Sequence, residues 1–261
     1  MMRRSLRPAL TVVATVVLLF SLSGYQVTSE TASGRLLGRL AAAVIELDRW
    51  LPAHAEDLRL LAAEARGGSV TPAGLPVPIA LPADAVAASD ANGLRAMIVE
   101  ATGAALRKDG LAAFRDDAGA GGSLGVQEPV RWTVALLGAS AHTFWGTALL
   151  LSVVALVGFA AGLLLEGRPL LGPVSFGGGV AAAAAFAAWL LALAADQAFA
   201  SAIDSEVALI LRDGAWIGLR NGLAVGGAGL ALLLLLGNGG DREAANRPLP
   251  VSAGPPGAPP E

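Results

Sequence analysis

Residues 132–165 read WTVALLGASAHTFWGTALLLSVVALVGFAAGLLL, and this stretch decides the fold. It holds no Asp, Glu, Lys or Arg. A helix needs about 20 apolar residues to cross a hydrocarbon layer of about 30 Å. Pro129 suits the first turn of a helix, and no proline follows before Leu165. The pattern therefore predicts one continuous helix from residue 129 to 165. At 1.5 Å per residue it would run about 55 Å, so it should project from the membrane and pack on neighbouring helices there.

Further apolar runs lie on both sides of it. Glu166-Gly167-Arg168-Pro169 makes a short turn, after which residues 170–195 form a third run and residues 215–236 a fourth, with Arg220 near its start. Between these two, residues 196–214 place Phe199, Ile203, Val207 and Leu211 on one face, with Gly214 as a cap. This reads as a separate amphipathic helix. Its polar face lacks the basic character of a lipid-surface binder, so it is expected to cover neighbouring helices. Residues 237–261 are rich in Gly and Pro and read as a disordered tail.

Toward the N-terminus, residues 8–25 make the first run, behind Arg3, Arg4 and Arg7. A basic segment before an apolar one also describes a signal peptide. The run is long for that role, and Ser21 and Ser23 offer a poor cleavage site, so an uncleaved membrane helix is the favoured reading. Both readings put the next segment across the membrane.

Composition agrees with this picture. Hydrophobic residues make up 54% of the chain and charged residues 15%, against about 25% charged in soluble domains. Mean hydropathy is +0.62. With a net charge of −3 and no basic patch, nucleic-acid binding is disfavoured. Without cysteine there is no disulfide, thiolate site or cysteine nucleophile. Lys108 stands alone among many arginines, a bias of GC-rich coding that points to a bacterial source.

The arginines orient the chain. Arg3, Arg4 and Arg7, then Arg168, then Arg242 and Arg247 all fall on one side if the four runs span, and the positive-inside rule makes that side cytoplasmic. Trp145, Trp189 and Trp216 then lie near the outer ends of three different helices, where indole rings favour the interface. The expected fold is an all-α membrane protein. It has four transmembrane helices, an extracytoplasmic helical domain between helices 1 and 2, and both termini in the cytoplasm. Its parts are residues 1–25, 26–131, 132–165, 170–195, 196–214, 215–236 and 237–261.

Residues 26–131 carry most of the charge. Leu37, Leu40, Val44, Leu47, Leu51, His54, Leu58, Leu61 and Ala65 step by three and four, an a/d pattern. Pro52 lies inside it, yet the register is kept, so one long kinked helix is expected. Thr31 or Ser33 would cap it, and Gly67-Gly68 would end it. Four prolines between Pro72 and Pro82 predict an extended linker or surface strap over residues 69–88. Ser89-Asp90 should open a second helix with Leu94, Ile98, Thr102 and Leu106 on one stripe and Gly110 at its end. A short turn over residues 111–114 and a flexible glycine-rich stretch over 118–125 would follow.

Chemistry-bearing groups are few. His54 and His142 are the only histidines, and no H-E-x-x-H, P-loop or G-x-S-x-G motif occurs. Ser140 and His142 would point about 200° apart on a helix. Neither a catalytic set nor a metal or cofactor site can be assembled. Arg220 within a membrane run is a candidate site by default, although a charge this shallow can snorkel or pair with Asp196, Asp204 or Asp213. Arg220, Asn221, His142 and Asp196 are expected to meet near the outer mouth of the bundle. Gly158 and Gly162, with Gly218, Gly222 and Gly226, have the spacing that lets helices pack closely in lipid, as do Gly177, Ala181 and Ala185. The same faces could serve a homo-oligomer.

The reading favoured by these features is a non-enzymatic envelope scaffold or interaction protein that acts through its outer domain on a protein partner. A transporter or channel subunit is the alternative. The order of one helix, an outer domain and three further helices resembles the FtsX/MacB-like permease unit in topology, without a shared motif. That resemblance implies an associated ATPase, for which residues 166–169 offer a very short docking turn. A sensor with a separate output partner is a third reading.

Overall fold

A computed structural model describes residues 3–114, 128–198 and 202–245. Of it, 85% is helical, and among the described residues the sole strand pairing is a two-residue bridge, Ser69–Val70 (β1) with Leu81–Pro82 (β2). The helices are α1 (Arg3–Val27), α2 (Glu30–Val44), α3 (Leu47–Glu64), α4 (Ala83–Ala88), α5 (Ala91–Asp109), α6 (Glu128–Leu137), α7 (Ala139–Leu165), α8 (Leu171–Ala198) and α9 (Ala202–Ala245). A 3-10 turn, Gly110–Ala113, follows α5. Four stretches are long and apolar enough to cross a membrane: Leu6–Val27, Ala139–Leu165, Leu171–Gln197 and Ile203–Leu235.

The spans assemble around α1, which packs against α7, α8 and α9. The tightest pair is α8 with α9, running antiparallel. A side chain on Gly178 would strike the backbone of Gly226, one on Gly222 the backbone of Ala182, and one on Gly218 the methyl of Ala185. Gly177 faces the other way and receives Thr15 of α1. On α1 itself, Thr11, Thr15 and Ser23 are buried. Each hydroxyl donates to the carbonyl four residues earlier, which satisfies it within its own helix.

Helices α2 to α6 build a head on these spans. Only Thr28 and Ser29 separate α1 from α2. The α2–α5 crossing is close because a Cβ on Gly38 would meet the Val99 carbonyl, and one on Gly103 the Gly34 carbonyl. Leu37, Leu40, Leu47, Leu94, Ile98 and Leu106 fill the core at 0–1% exposure. The expected stripe Leu94, Ile98, Thr102, Leu106 is fully buried. Asp90 caps α5 by accepting from the Gly93 N–H at 2.7 Å, and Gly110 closes it at φ 59°. The core also reaches beyond residue 131, to Val134, Leu137 and Ile210.

Several expectations change. The a/d helix is two helices, broken at Glu46, which adopts φ 50° and ψ 48°. Pro52 sits inside α3 and is not the break. The stripe continues across the break because Leu47, Leu51 and Leu58 still face the core, but Leu61 turns out to be 44% exposed. Ser29 precedes α2 in place of Thr31 or Ser33, and Ser33 is buried within it. The proline-rich strap is not superficial. Leu75, Val77, Ile79, Leu81 and Ala83 alternate into the core while Pro78, Ala80 and Pro82 face out, the period of an extended chain with one buried side.

The long helix expected over 129–165 breaks at Gly138, whose φ −66° and ψ 170° end α6 and cap α7. The Ala141 and His142 N–H groups close back on its carbonyl. The break frees α6 to turn Val130, Val134 and Leu137 into the head core. Conversely, the expected break at Gly214 is absent. Residues 202–245 form one helix, and Gly214 has no left-handed φ that could end it. At about 66 Å this helix is twice the thickness of a bilayer core. Ile203, Val207 and Ile210 pack on the head as expected of a covering helix, but Leu211 is exposed. The tail expected to be disordered from residue 237 remains helical to Ala245. Phe199, the stretch 118–125 and residues 246–261 lie outside the described residues.

Candidate functional site

Polar side chains gather where the head meets the spans, around the last turns of α1. Gly24 lacks the side chain that would collide with the Trp145 indole, so α7 lies close against α1 there. This brings His142, one turn earlier on α7, over the Tyr25 ring, with centroids 4.3 Å apart and planes at 25°. Its Nδ1 lies 3.1 Å from the Thr28 hydroxyl. The same hydroxyl donates to the Gly24 carbonyl at 2.8 Å, so Nδ1–H donating to Thr28 satisfies both groups.

Asn221 reaches the same end of α1 from α9. Its Nδ2 donates to Ser23 Oγ and to Gln26 Oε1, both at 3.0 Å. The Ser23 hydroxyl in turn donates a hydrogen bond to the Leu19 carbonyl at 2.7 Å. His142 and Asn221 are thus joined to one short segment, residues 23–28, from two different spans.

The other two candidates go elsewhere. Asp196 accepts from Ser205 Oγ at 2.7 Å, a bond that ties the end of α8 to the start of α9. Arg220 is exposed, with no hydrogen bond or ion pair among the described residues. It is neighbour to Asn221 in the chain but about 100° away around the helix, so the two cannot share a partner on α1. No hydrogen bond or ion pair links any two of the four. Among the three acids considered for Arg220, Asp213 instead meets Arg39 at 3.4 Å.

Arg39 was not singled out by its sequence context, yet it joins α2 to α9. Its Nε lies 2.6 Å from Glu206 Oε1 as an ion pair off the hydrogen-bond direction, while a terminal nitrogen donates to Asp213. At the opposite end of the spans, Arg7 meets Glu166 at 2.6 Å and the Gly162 carbonyl at 3.2 Å. Gly162 therefore makes room for a guanidinium, and Gly158 faces open space. Neither packs against another helix backbone, unlike Gly222 and Gly226. His54 stacks on Trp50 at 4.5 Å and bonds its carbonyl at 2.8 Å.

One signal for the junction was present in the sequence. Thr11, Thr15 and Ser23 recur at multiples of four on an apolar run, which marks the packed side of a membrane helix. The arrangement is a set of neutral amide, hydroxyl and imidazole contacts that locks three helices together. Among the described residues, no group of three or more His, Asp or Glu could hold a metal ion.

The fold and the four apolar helices define a multi-pass membrane protein. The chain matches no known protein family, curated protein or solved structure.

Proposed function

We propose that this is a non-enzymatic scaffold or interaction protein of a bacterial cytoplasmic membrane, acting through a helical head that lies outside the cytoplasm. One observation carries the reading: the head shares its core with a membrane span. Ile210, Val207 and Ile203 of α9 pack among the head leucines, and Arg39 adds ion pairs to Glu206 and Asp213. A head so fixed presents its surface in one orientation, which suits holding a partner. The arginines at the far end, Arg7 and Arg168, favour both termini inside.

The test uses the absence of cysteine. A single cysteine at Leu60, which is 58% exposed on α3, should react with a membrane-impermeant maleimide in intact spheroplasts. A photocrosslinking residue at the same position, in the full chain in native membranes, should then yield one reproducible protein adduct. Labelling only after lysis would overturn the outward placement. Adducts with lipid alone would overturn the scaffold reading, and capture of an ATPase would transfer it to the permease alternative.

A further inference from the structure

The helix α6 has two apolar sides with different fates. Val130, Thr133, Val134 and Leu137 are buried against the head, within a sector of about 100°. On the opposite side, Trp132 is 64% exposed and Leu136 49% exposed, only about 40° apart. A charged pair, Glu128 and Arg131, flanks this surface, with their side chains 3.9 Å apart and largely exposed.

Position along the chain says what covers this surface. Leu136 precedes the first residue of α7 by three positions and Trp132 by seven, so at 1.5 Å per residue both lie within about 10 Å of that span. The α7 residue Phe144 is 63% exposed, and Leu150, Leu151 and Val154 continue that lipid-facing surface. At 27 residues, or about 40 Å, α7 exceeds the hydrocarbon thickness by about 10 Å, so its first turns already lie in the headgroup layer. The extended backbone at Gly138 lets α6 leave the α7 axis there. Indole rings, with an apolar body and one N–H donor, favour that layer.

We propose that α6 is an interfacial helix whose Trp132–Leu136 face rests in the lipid headgroup boundary, so that the head is seated on the bilayer as well as attached to the spans. This rests only on the multi-pass membrane reading and not on which side the head faces. Arg131 at the edge of the face is placed to meet lipid phosphate.

Single cysteines at positions 131, 132, 135 and 136 of the full chain, spin-labelled in phosphatidylcholine–phosphatidylglycerol vesicles, test it. Collision with oxygen, which concentrates in lipid, is compared with collision with a water-soluble nickel chelate. The oxygen-to-nickel ratio at 132 and 136 should exceed that of a label at Leu60 several-fold. A ratio equal to that at Leu60 would overturn the proposal, because the face would then be in water. Low collision with both reagents would also overturn it, because a protein surface would then cover the face. Quenching of intrinsic fluorescence by brominated lipid supplies a second measurement with a mild substitution. It should fall in Trp132→Phe relative to the unmodified chain, and unchanged quenching would count against the proposal.

Discussion

The head and the spans bury opposite kinds of residue. In the head, Leu37, Leu40, Leu94 and Ile98 are inside and Glu56, Asp57 and Glu64 outside. In the spans, small and hydroxyl residues make up most of the buried positions, among them Thr11, Ala14, Thr15, Ser152, Ala181, Ala182 and Ala185, with Leu19 and Leu163 among the large exceptions, while Leu150, Leu151, Val154 and Leu191 face out. The solvent explains the reversal. Water drives large apolar side chains together in the head. Lipid tails are as apolar as leucine and exert no such force, so helices in lipid associate by close backbone approach and a few hydrogen bonds.

Helix α9 shows both regimes on one stripe. Ile203, Val207 and Ile210 lie against the head, Gly214 lies beside Val27 of α1, and Gly218, Gly222 and Gly226 continue at four-residue steps along the seam with α8. The side chains shrink as the helix passes from one environment to the other. Glycine is also used in the head, at Gly38 and Gly103. There it permits a close crossing beside a core of large side chains, whereas in the α8–α9 seam small residues are the packing itself.

Paired substitutions would break this contrast if it is wrong. The largest difference is expected between Leu94→Ala and Leu151→Ala. Leu94 is 0% exposed and Leu151 64% exposed. Truncating the first should cost about 2–5 kcal/mol; truncating the second should stay within about 0.5 kcal/mol. Thermal unfolding of the purified chain in mild detergent, followed by circular dichroism, should show a melting temperature lowered by several degrees for Leu94→Ala alone. Equal losses would mean that α7 is covered by protein.

A smaller contrast concerns the glycines. Gly222→Val places its side chain against the Ala182 backbone, whereas Gly158 has open space around it. Overpacking at 222 should cost about 1–3 kcal/mol, and Gly158→Val about 0.5 kcal/mol or less. Crosslinking between cysteines placed at 185 and 218 should fall in the first variant and persist in the second. A loss of stability in Gly158→Val would reveal a second chain packed on α7.

The smallest effect is expected at the junction. Asn221→Leu removes two donations to α1, from a residue that is part-buried. Hydrogen bonds between membrane helices are worth about 0.6 kcal/mol on average. The melting temperature should therefore drop by one to a few degrees, about the shift that 1 kcal/mol produces in a chain of this size. A drop as large as that of Leu94→Ala would make the polar junction, and not the small-residue seam, the main tie between spans.

Local signals were legible where one residue type has one use. Asp90 as a cap, the stripe from Leu94 to Leu106 and Gly110 as a stop all follow from spacing and cap chemistry. Two other glycines read wrongly, in opposite directions. Gly138 breaks a run that carries no proline, and Gly214 continues one that reads as ending. Glycine is a weak helix former, about 1 kcal/mol below alanine, so it neither holds a helix together nor ends one by itself, and its neighbours in space decide. The alternation from Leu75 to Ala83 is present in the sequence, but four prolines there are equally compatible with an exposed strap, and only the burial of the odd-numbered residues separates the two. For the candidate site, residue types were legible and partners were not. Helical spacing fixes which residues of one helix share a face, but it cannot bring Ser23 to Asn221, nearly two hundred positions away.

By itself the sequence determined that helices dominate, that four of them can cross a membrane, and that the charged middle segment folds on a leucine core. Hydrophobic run length and period are local properties, and bilayer thickness and helix geometry convert them directly into structure. Only the tertiary structure decided where the helices break, that α9 serves head and span as one rod, and that Arg220 and Asn221 part company. Those outcomes depend on which surfaces meet at a distance along the chain, and a glycine or a polar side chain takes the conformation that its partners satisfy.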